Sequence, residues 1–166
     1  FCRKTGYLAL VGHNTDVTGF EKSLLEQVHE WPRKALVLGT GGSSQAVTYV
    51  LKKHGIEPVS VSRNETPTAL PYHKVSNELV RSSPLIINTT PLGMHPDTGS
   101  APDIPYDALT DKHLLFDLVY NPEVTQFMKE AKARGGKAVN GYDMLVYQAE
   151  AAWEIWHRQS MNEKTR

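Results

Sequence analysis

The stretch Ala35-Leu36-Val37-Leu38-Gly39-Thr40-Gly41-Gly42-Ser43-Ser44 joins a fully apolar run to a glycine-rich loop. The apolar run predicts a strand that helices cover on both faces, as in a parallel sheet. The loop then enters a segment with helical spacing, where glycines permit a tight turn and the helix N-terminus offers free N–H groups to a phosphate. We therefore expect the loop to bind a dinucleotide, although Ser44 stands where the fingerprint usually has its third glycine. The alternative is an ordinary glycine-rich turn in which Ser43 caps the helix.

The end of the next predicted strand indicates which dinucleotide binds. An NAD site usually places Asp or Glu there, about 20 residues after the glycine loop, against the ribose 2′-hydroxyl. This chain has Ser62-Arg63-Asn64 instead. Because a guanidinium can donate paired hydrogen bonds to a 2′-phosphate, Arg63 favours NADP. The alternative is a solvated surface arginine.

The rest of the chain alternates short apolar runs with segments of helical period, which predicts an α/β, Rossmann-like doubly wound parallel sheet of five or six strands with helices on both faces. A first helix over Asp16 to Glu30 leads into this sheet. The predicted strands are Ala35 to Leu38, Val59 to Val61, Leu85 to Asn88, Leu114 to Val119 and Lys137 to Val139, and the later helices are Ser44 to His54, His73 to Val80, Glu123 to Arg134 and Tyr142 to His157.

Composition excludes several classes of partner. Eighteen Lys and Arg balance eighteen Asp and Glu, so there is no basic surplus for nucleic acid or anionic lipid. No apolar run is long enough for a membrane helix. The single cysteine fits a reducing compartment, and we expect a cytoplasmic protein. We predict no metal, since no cluster of His, Cys, Asp and Glu has ligand spacing.

Four motifs, in order, resemble those of shikimate dehydrogenases: Gly12 to Phe20 (GHNTDVTGF), the glycine loop, Asn88 to Met94 (NTTPLGM) and Gly141 to Ala149 (GYDMLVYQA). The resemblance implies an NADP-dependent oxidoreductase that interconverts 3-dehydroshikimate and shikimate on the route to chorismate and aromatic amino acids. Two alternatives remain open: a quinate/shikimate dehydrogenase paralogue, and a non-catalytic module that binds NADP(H).

The resemblance also implies a division of the chain. We expect residues 1–13 to be a remnant of an N-terminal substrate domain, residues 14–158 to be the NADP-binding domain and residues 159–166 to be a tail. The N-terminal domain would then be a missing partner. The family's catalytic lysine has no counterpart in this sequence, so we expect the chain to be inactive on its own. The sequence leaves a homodimer open.

The resemblance assigns site residues one by one. It implies that Asp16 is catalytic, since the family's aspartate contacts substrate hydroxyls and partners the lysine. The substrate-binding positions are Asn14, Asp16, Tyr120 and Gln148. The cofactor-binding positions, from the fingerprint and the resemblance together, are Gly39, Thr40, Gly41, Gly42, Ser43, Ser62, Arg63, Asn64, Thr89, Thr90, Leu118 and Gly141.

Three of these expectations have alternatives or complications. Asp16 could simply cap the first helix, because Asp is favoured where helices begin. Gln148 could face water on the last helix. Glu65, two residues after Arg63, would repel a phosphate if it lay close to one, which would weaken a preference for NADP.

Overall fold

The computed structural model describes residues 2–4, 7–9 and 11–164, and the side chains of residues 11–157. Its elements are eight strands and five α-helices among these residues. In chain order they are β1 (Cys2–Lys4), β2 (Tyr7–Ala9), α1 (Thr15–Gln27), β3 (Lys34–Leu38), α2 (Gly42–Lys53), β4 (Glu57–Ser62), β5 (Leu70–Pro71), α3 (Asn77–Arg81), β6 (Leu85–Asn88), β7 (Leu114–Asp117), α4 (Gln126–Ala133), β8 (Lys137–Val139) and α5 (Tyr142–Lys164).

Six of the strands form one parallel sheet in the order β5-β4-β3-β6-β7-β8, and β1 and β2 pair separately as an antiparallel hairpin. The chain moves outward from β3 to β5, then returns to the other side of β3 and continues through β6 to β8. This reversal opens a crevice at the carboxyl ends of β3 and β6, which is where doubly wound sheets bind ligands. The predicted fold class is therefore confirmed.

Alternation along the central strand builds a core on each face of the sheet. Ala35 and Val37 pack with Phe20 and Val47, in a core that α1, α2 and α5 cover. Leu36 and Leu38 point to the opposite core, to which α3 and α4 contribute. Because both faces are covered, the strand has no polar side, and the two-sided burial expected from its sequence is confirmed.

Three elements depart from the sequence prediction because of local caps or short length. The single helix predicted over 73–80 is wrong: a short 3₁₀ turn is followed by α3, which begins only after Ser76, whose hydroxyl accepts from the N–H of Leu79. Similarly, α4 begins after Thr125 instead of at Glu123, since Thr125 accepts from the N–H of Met128. Strand β5 has two residues, too few for any periodicity, and its proline suits the edge position that it occupies.

Other elements differ only at their ends. Strand β4 is longer than predicted and begins at Glu57, whereas β7 ends at Asp117 and α1 at Gln27. Helix α5 continues past His157 to Lys164, because no Gly or Pro follows to stop it. The division of the chain at residues 13 and 158 stays a prediction.

Gly141 lets the start of α5 lie directly on the end of β7. A Cβ built at this position would lie 2.1 Å from the carbonyl oxygen of Leu118, which is main chain and cannot give way cheaply. The glycine is also held by its N–H, which donates to the carbonyl of Val119 at 3.2 Å. A glycine here therefore serves close packing of backbone on backbone.

We predict that Gly141→Ala lowers the free energy of unfolding by about 1–3 kcal/mol, the usual cost of forcing an extra carbon into a packed site. The matched control is Gly99→Ala, where a Cβ would meet no atom within 4 Å. Urea denaturation of the three proteins measures the difference. Equal midpoints for the two variants would contradict the packing role.

Candidate functional site

A cleft of about 350 Å³ lies at the carboxyl ends of the central strands, and we call it the nucleotide cleft. Segments that follow β3, β4, β5 and β6 supply its walls. Most of its lining was predicted from the sequence as cofactor-binding. The lining residues are Gly39, Thr40, Gly41, Ser62, Arg63, Tyr72, Thr89, Thr90, Pro91 and Leu92.

The glycines of the loop have two different roles. Gly39 has a φ of +113°, and a Cβ there would lie 2.5 Å from Oγ1 of Thr89. The fold itself therefore requires glycine at this position. A Cβ at Gly41 or Gly42 would instead meet nothing within 4 Å. The protein itself has no packing need for glycine at these two positions. Bare backbone facing open space fits the close approach of a diphosphate.

The start of α2 supports the same interpretation. The helix begins at Gly42, and its N-cap is Gly41, which makes no side-chain capping hydrogen bond. The alternative in which Ser43 caps the helix is therefore wrong. Since no side chain caps the first turn, its N–H groups are available to an anion. The residues present fit the phosphates of a dinucleotide.

Arg63 lies exposed at the end of β4, on the wall of the nucleotide cleft. Its turn is held by the hydroxyl of Ser62, which donates to the carbonyl of Asn64. Within residues 11–157, where side chains are described, Arg63 takes part in no ion pair, which leaves its guanidinium available to a ligand. Asn64 itself does not line the cleft.

Glu65 does not leave an unbalanced negative charge beside Arg63. Lys74 donates to both of its carboxylate oxygens, at 2.7 and 2.8 Å, and these hydrogen bonds lower the pKa of Glu65. The repulsion that the sequence suggested is therefore offset by a cation in the same loop region.

A second cleft, of about 300 Å³, includes Ser43 just after the glycine loop, and we call it the substrate-side cleft because three of the four predicted substrate-binding residues line it. It brings together residues from four distant parts of the chain. Its lining is Asp16, Ser43, Leu118, Tyr120, Gly141, Met144, Leu145 and Gln148. Ser43, which was predicted to bind cofactor with the rest of its loop, thus faces this cleft instead of the nucleotide cleft, because it lies in the first turn of α2, beyond the loop.

The polar residues of the substrate-side cleft are partly covered and partly open. Asp16 and Gln148 are half-buried, and Tyr120 is exposed. Asn14 is the N-cap of α1, where its Oδ1 accepts from the N–H of Asp16 at 3.0 Å. The alternative that Asp16 caps the helix is therefore wrong, whereas the alternative that Gln148 faces water stays open. Asn14 lies two residues before Asp16 but does not line the cleft.

A buried hydrogen-bond network connects the two clefts, and the sequence analysis missed its centre. Asp117 is fully buried at the end of β7 and accepts from Asn88 Nδ2 at 2.9 Å, from the N–H of Val119 at 3.1 Å and from the hydroxyl of Thr125. Asn88 Oδ1 in turn accepts from the N–H and hydroxyl of Thr90, at 3.0 and 2.6 Å. Burial raises the pKa of Asp117, and the three hydrogen bonds oppose that rise. The sequence carries one signal of this network, since the apolar strands β6 and β7 each end in a polar residue, Asn88 and Asp117.

We predict that Asp117→Ala lowers the free energy of unfolding by about 2–4 kcal/mol, because it leaves several buried donors without an acceptor. The matched control is Asp107→Ala, since the Asp107 side chain is 93% exposed and pairs with Arg134 at the surface. Asp107→Ala should lower the free energy of unfolding by less than about 1 kcal/mol. Thermal unfolding monitored by circular dichroism compares them, and similar losses for both would contradict the network's importance.

The described part of the chain, residues 2–4, 7–9 and 11–164, offers neither a metal site nor a membrane-spanning helix. Among those residues, no group of three or more His, Cys, Asp and Glu could hold a metal ion. No helix there is long and apolar enough to cross a membrane.

Known proteins are similar to this chain over most of its length. The chain is 36% identical over 167 residues to the shikimate dehydrogenase (NADP(+)) of Desulforamulus reducens, and the match covers 89% of this chain and 57% of that protein. Among solved structures, a chorismate mutase/shikimate 5-dehydrogenase fusion protein from Clostridium acetobutylicum is 38% identical, with a TM-score of 0.76, and the match covers 87% of this chain and 54% of that one.

A second solved structure contains both ligands. Shikimate 5-dehydrogenase from Thermus thermophilus, in complex with NADP(H) and shikimate, is 32% identical with a TM-score of 0.74, over 86% of this chain and 56% of that one. No family model matches. The chain spans 57–58% of the length of the first curated relatives that it matches. The resemblance seen in the motifs is confirmed over nearly the whole chain by relatives and solved structures that are named shikimate dehydrogenases.

Proposed function

We propose that this chain supplies the NADP-binding part of an enzyme that reversibly reduces 3-dehydroshikimate to shikimate. The observation that carries the proposal is the meeting of two clefts at one glycine loop: Gly39 to Gly41 line the nucleotide cleft, and Ser43 lines the substrate-side cleft. A redox reaction between a dinucleotide and a small molecule requires such adjoining sites. Relatives that are named for this reaction match most of the chain.

The residues of the nucleotide cleft would hold the cofactor by its phosphates. The loop backbone and the N-terminus of α2 bind the diphosphate, and Arg63 binds the 2′-phosphate. Thr89 and Thr90 fix the opposite wall, since Thr89 donates its hydroxyl to the carbonyl of Leu38 at 2.8 Å. When bound, NADPH would supply the hydride for reduction and NADP⁺ would accept it in the reverse direction, which no side chain of this chain can do.

The substrate-side cleft would orient a ring that carries several hydroxyl groups. When shikimate is oxidised, the carboxylate of Asp16 would accept a hydrogen bond from the reacting hydroxyl and take its proton as the hydride leaves the carbon. In the reverse direction the carboxylic acid would return that proton to the carbonyl oxygen. Gln148 and Tyr120 add donors and acceptors on the facing wall. Leu118 and Gly141, which were predicted to bind cofactor, lie close together where α5 begins and line this same cleft.

We also propose where the enzyme is located and which molecules it binds. A cytoplasmic location is supported by the single cysteine, which fits a reducing compartment. The small-molecule partners are shikimate and 3-dehydroshikimate, and the remaining part of the relatives' length would contribute the rest of the substrate site. A homodimer stays an expectation.

We predict that Arg63→Ala weakens binding of NADP⁺ at least tenfold and changes binding of NAD⁺ less than about twofold, since a charged hydrogen bond contributes about 1.5–3 kcal/mol. Calorimetric titration at fixed salt measures both. Arg81→Ala is the matched control, because Arg81 is exposed on α3 and does not line the cleft. Equal losses for the two cofactors would argue against a 2′-phosphate site at Arg63.

We predict that Asp16→Asn, in the protein that contains this chain, lowers kcat/KM for shikimate by about 10²-fold or more, as expected when a group that manages a proton is lost. Affinity for NADP⁺ should stay unchanged, because Asp16 lies in the other cleft. Steady-state assays of NADPH formation, with quinate as the comparison substrate and Asp97→Asn as control, provide the test. Unchanged turnover of shikimate would remove Asp16 from the proposed mechanism.

A further inference from the structure

Tyr72 lies beside Arg63 although the two are nine positions apart in the chain. Strands β4 and β5 pair in parallel, with Ser62 opposite Pro71, so Arg63 and Tyr72 leave the two strands at the same end of the sheet. Both residues line the nucleotide cleft. The sequence analysis assigned no role to Tyr72, and strand pairing is what brings it to the site.

The hydroxyl of Tyr72 is buried and has no hydrogen-bond partner among the described residues. Tyr106, which belongs to the same hydrophobic cluster, shows the usual arrangement: its hydroxyl donates to the carbonyl of Pro102 at 2.7 Å. Buried polar groups without partners are rare and unfavourable, and they often mark a place that a ligand completes. Tyr72 therefore carries an unused, covered donor on a side chain that lines the nucleotide cleft.

The charges around Tyr72 indicate what kind of ligand group would use this donor. Burial, reinforced by Asp103, raises the pKa of Tyr72 in spite of the nearby positive charge of Arg63, so the phenol keeps its proton at neutral pH. A protonated phenol beside an unpaired guanidinium presents two donors to the same region. Such a pair suits an anionic group with several acceptor oxygens, such as a phosphate.

We propose that Tyr72 is a specificity residue whose hydroxyl donates a hydrogen bond to the 2′-phosphate of NADP, beside Arg63. The inference rests on the proposed function, because it needs NADP in the nucleotide cleft. It adds a contact that distinguishes the phosphorylated from the unphosphorylated ribose. The hydroxyl then completes its hydrogen bonding only when the cofactor is bound.

The test uses 2′,5′-ADP and 5′-AMP, which carry the adenosine end of the two cofactors and differ in the 2′-phosphate. Tyr72→Phe removes only the hydroxyl. Calorimetric titration should show about tenfold weaker binding of 2′,5′-ADP and unchanged binding of 5′-AMP, the loss expected for one hydrogen bond to a charged group. The melting temperature of the unliganded chain should stay the same or rise, because the lost hydroxyl had no partner.

Tyr106→Phe is the matched control and should behave in the opposite way. It loses a satisfied hydrogen bond, so the melting temperature of the unliganded chain should fall while binding of 2′,5′-ADP stays unchanged. This contrast separates a contact with the ligand from a general effect of removing a hydroxyl.

Three results would overturn the inference. If Tyr72→Phe binds 2′,5′-ADP as tightly as the unmodified chain while Arg63→Ala binds it weakly, the proposed function stands and the role of Tyr72 does not. Equal weakening for 2′,5′-ADP and 5′-AMP would assign the hydroxyl to another part of the nucleotide. If the unmodified chain binds 2′,5′-ADP no better than 5′-AMP, the NADP site and the role of Tyr72 fail together.

Discussion

The buried hydrogen bond between Asn88 and Asp117 is the interaction on which both clefts depend. It joins the carboxyl ends of β6 and β7 at 2.9 Å, at the edge of the sheet where the ligand loops begin. On one side Asn88 holds Thr90, which lines the nucleotide cleft. On the other, Asp117 holds the N–H of Val119, next to Tyr120 in the substrate-side cleft. A carboxylate in this position is costly to bury, but three donors compensate it and fix the two loops relative to each other.

The rest of the architecture follows because the strands are apolar along both faces and polar at their carboxyl ends. Apolar side chains on both faces fix the sheet and its helices, whereas the strand ends carry the glycines, hydroxyls and charged groups that ligands contact. Gly39 and Gly141 allow backbone segments to approach closely at these ends. Gly41 instead lines the nucleotide cleft, and a Cβ there would meet no atom within 4 Å.

Sequence alone predicted most of the fold, because strongly apolar strands and helical periodicity are local signals. It missed β5, whose two residues have no periodicity, and it placed the starts of α3 and α4 wrongly because caps were not recognised. At the site, the glycine loop and Arg63 were recognisable from local spacing. Tyr72 and Asp117 were not, since strand pairing and not local spacing places them at the site. The compensation of Glu65 by Lys74 likewise depends on tertiary contact.

The central claim is that the cleft beside the glycine loop is a site for NADP. Calorimetric titration of the unmodified chain with NADP⁺ and with NAD⁺, in the same buffer and at the same salt, tests it most directly. The account predicts binding of NADP⁺ at least tenfold tighter than that of NAD⁺, since one charged contact at the 2′-phosphate contributes about 1.5–3 kcal/mol. Equal affinity for the two cofactors, or binding of neither, would contradict it.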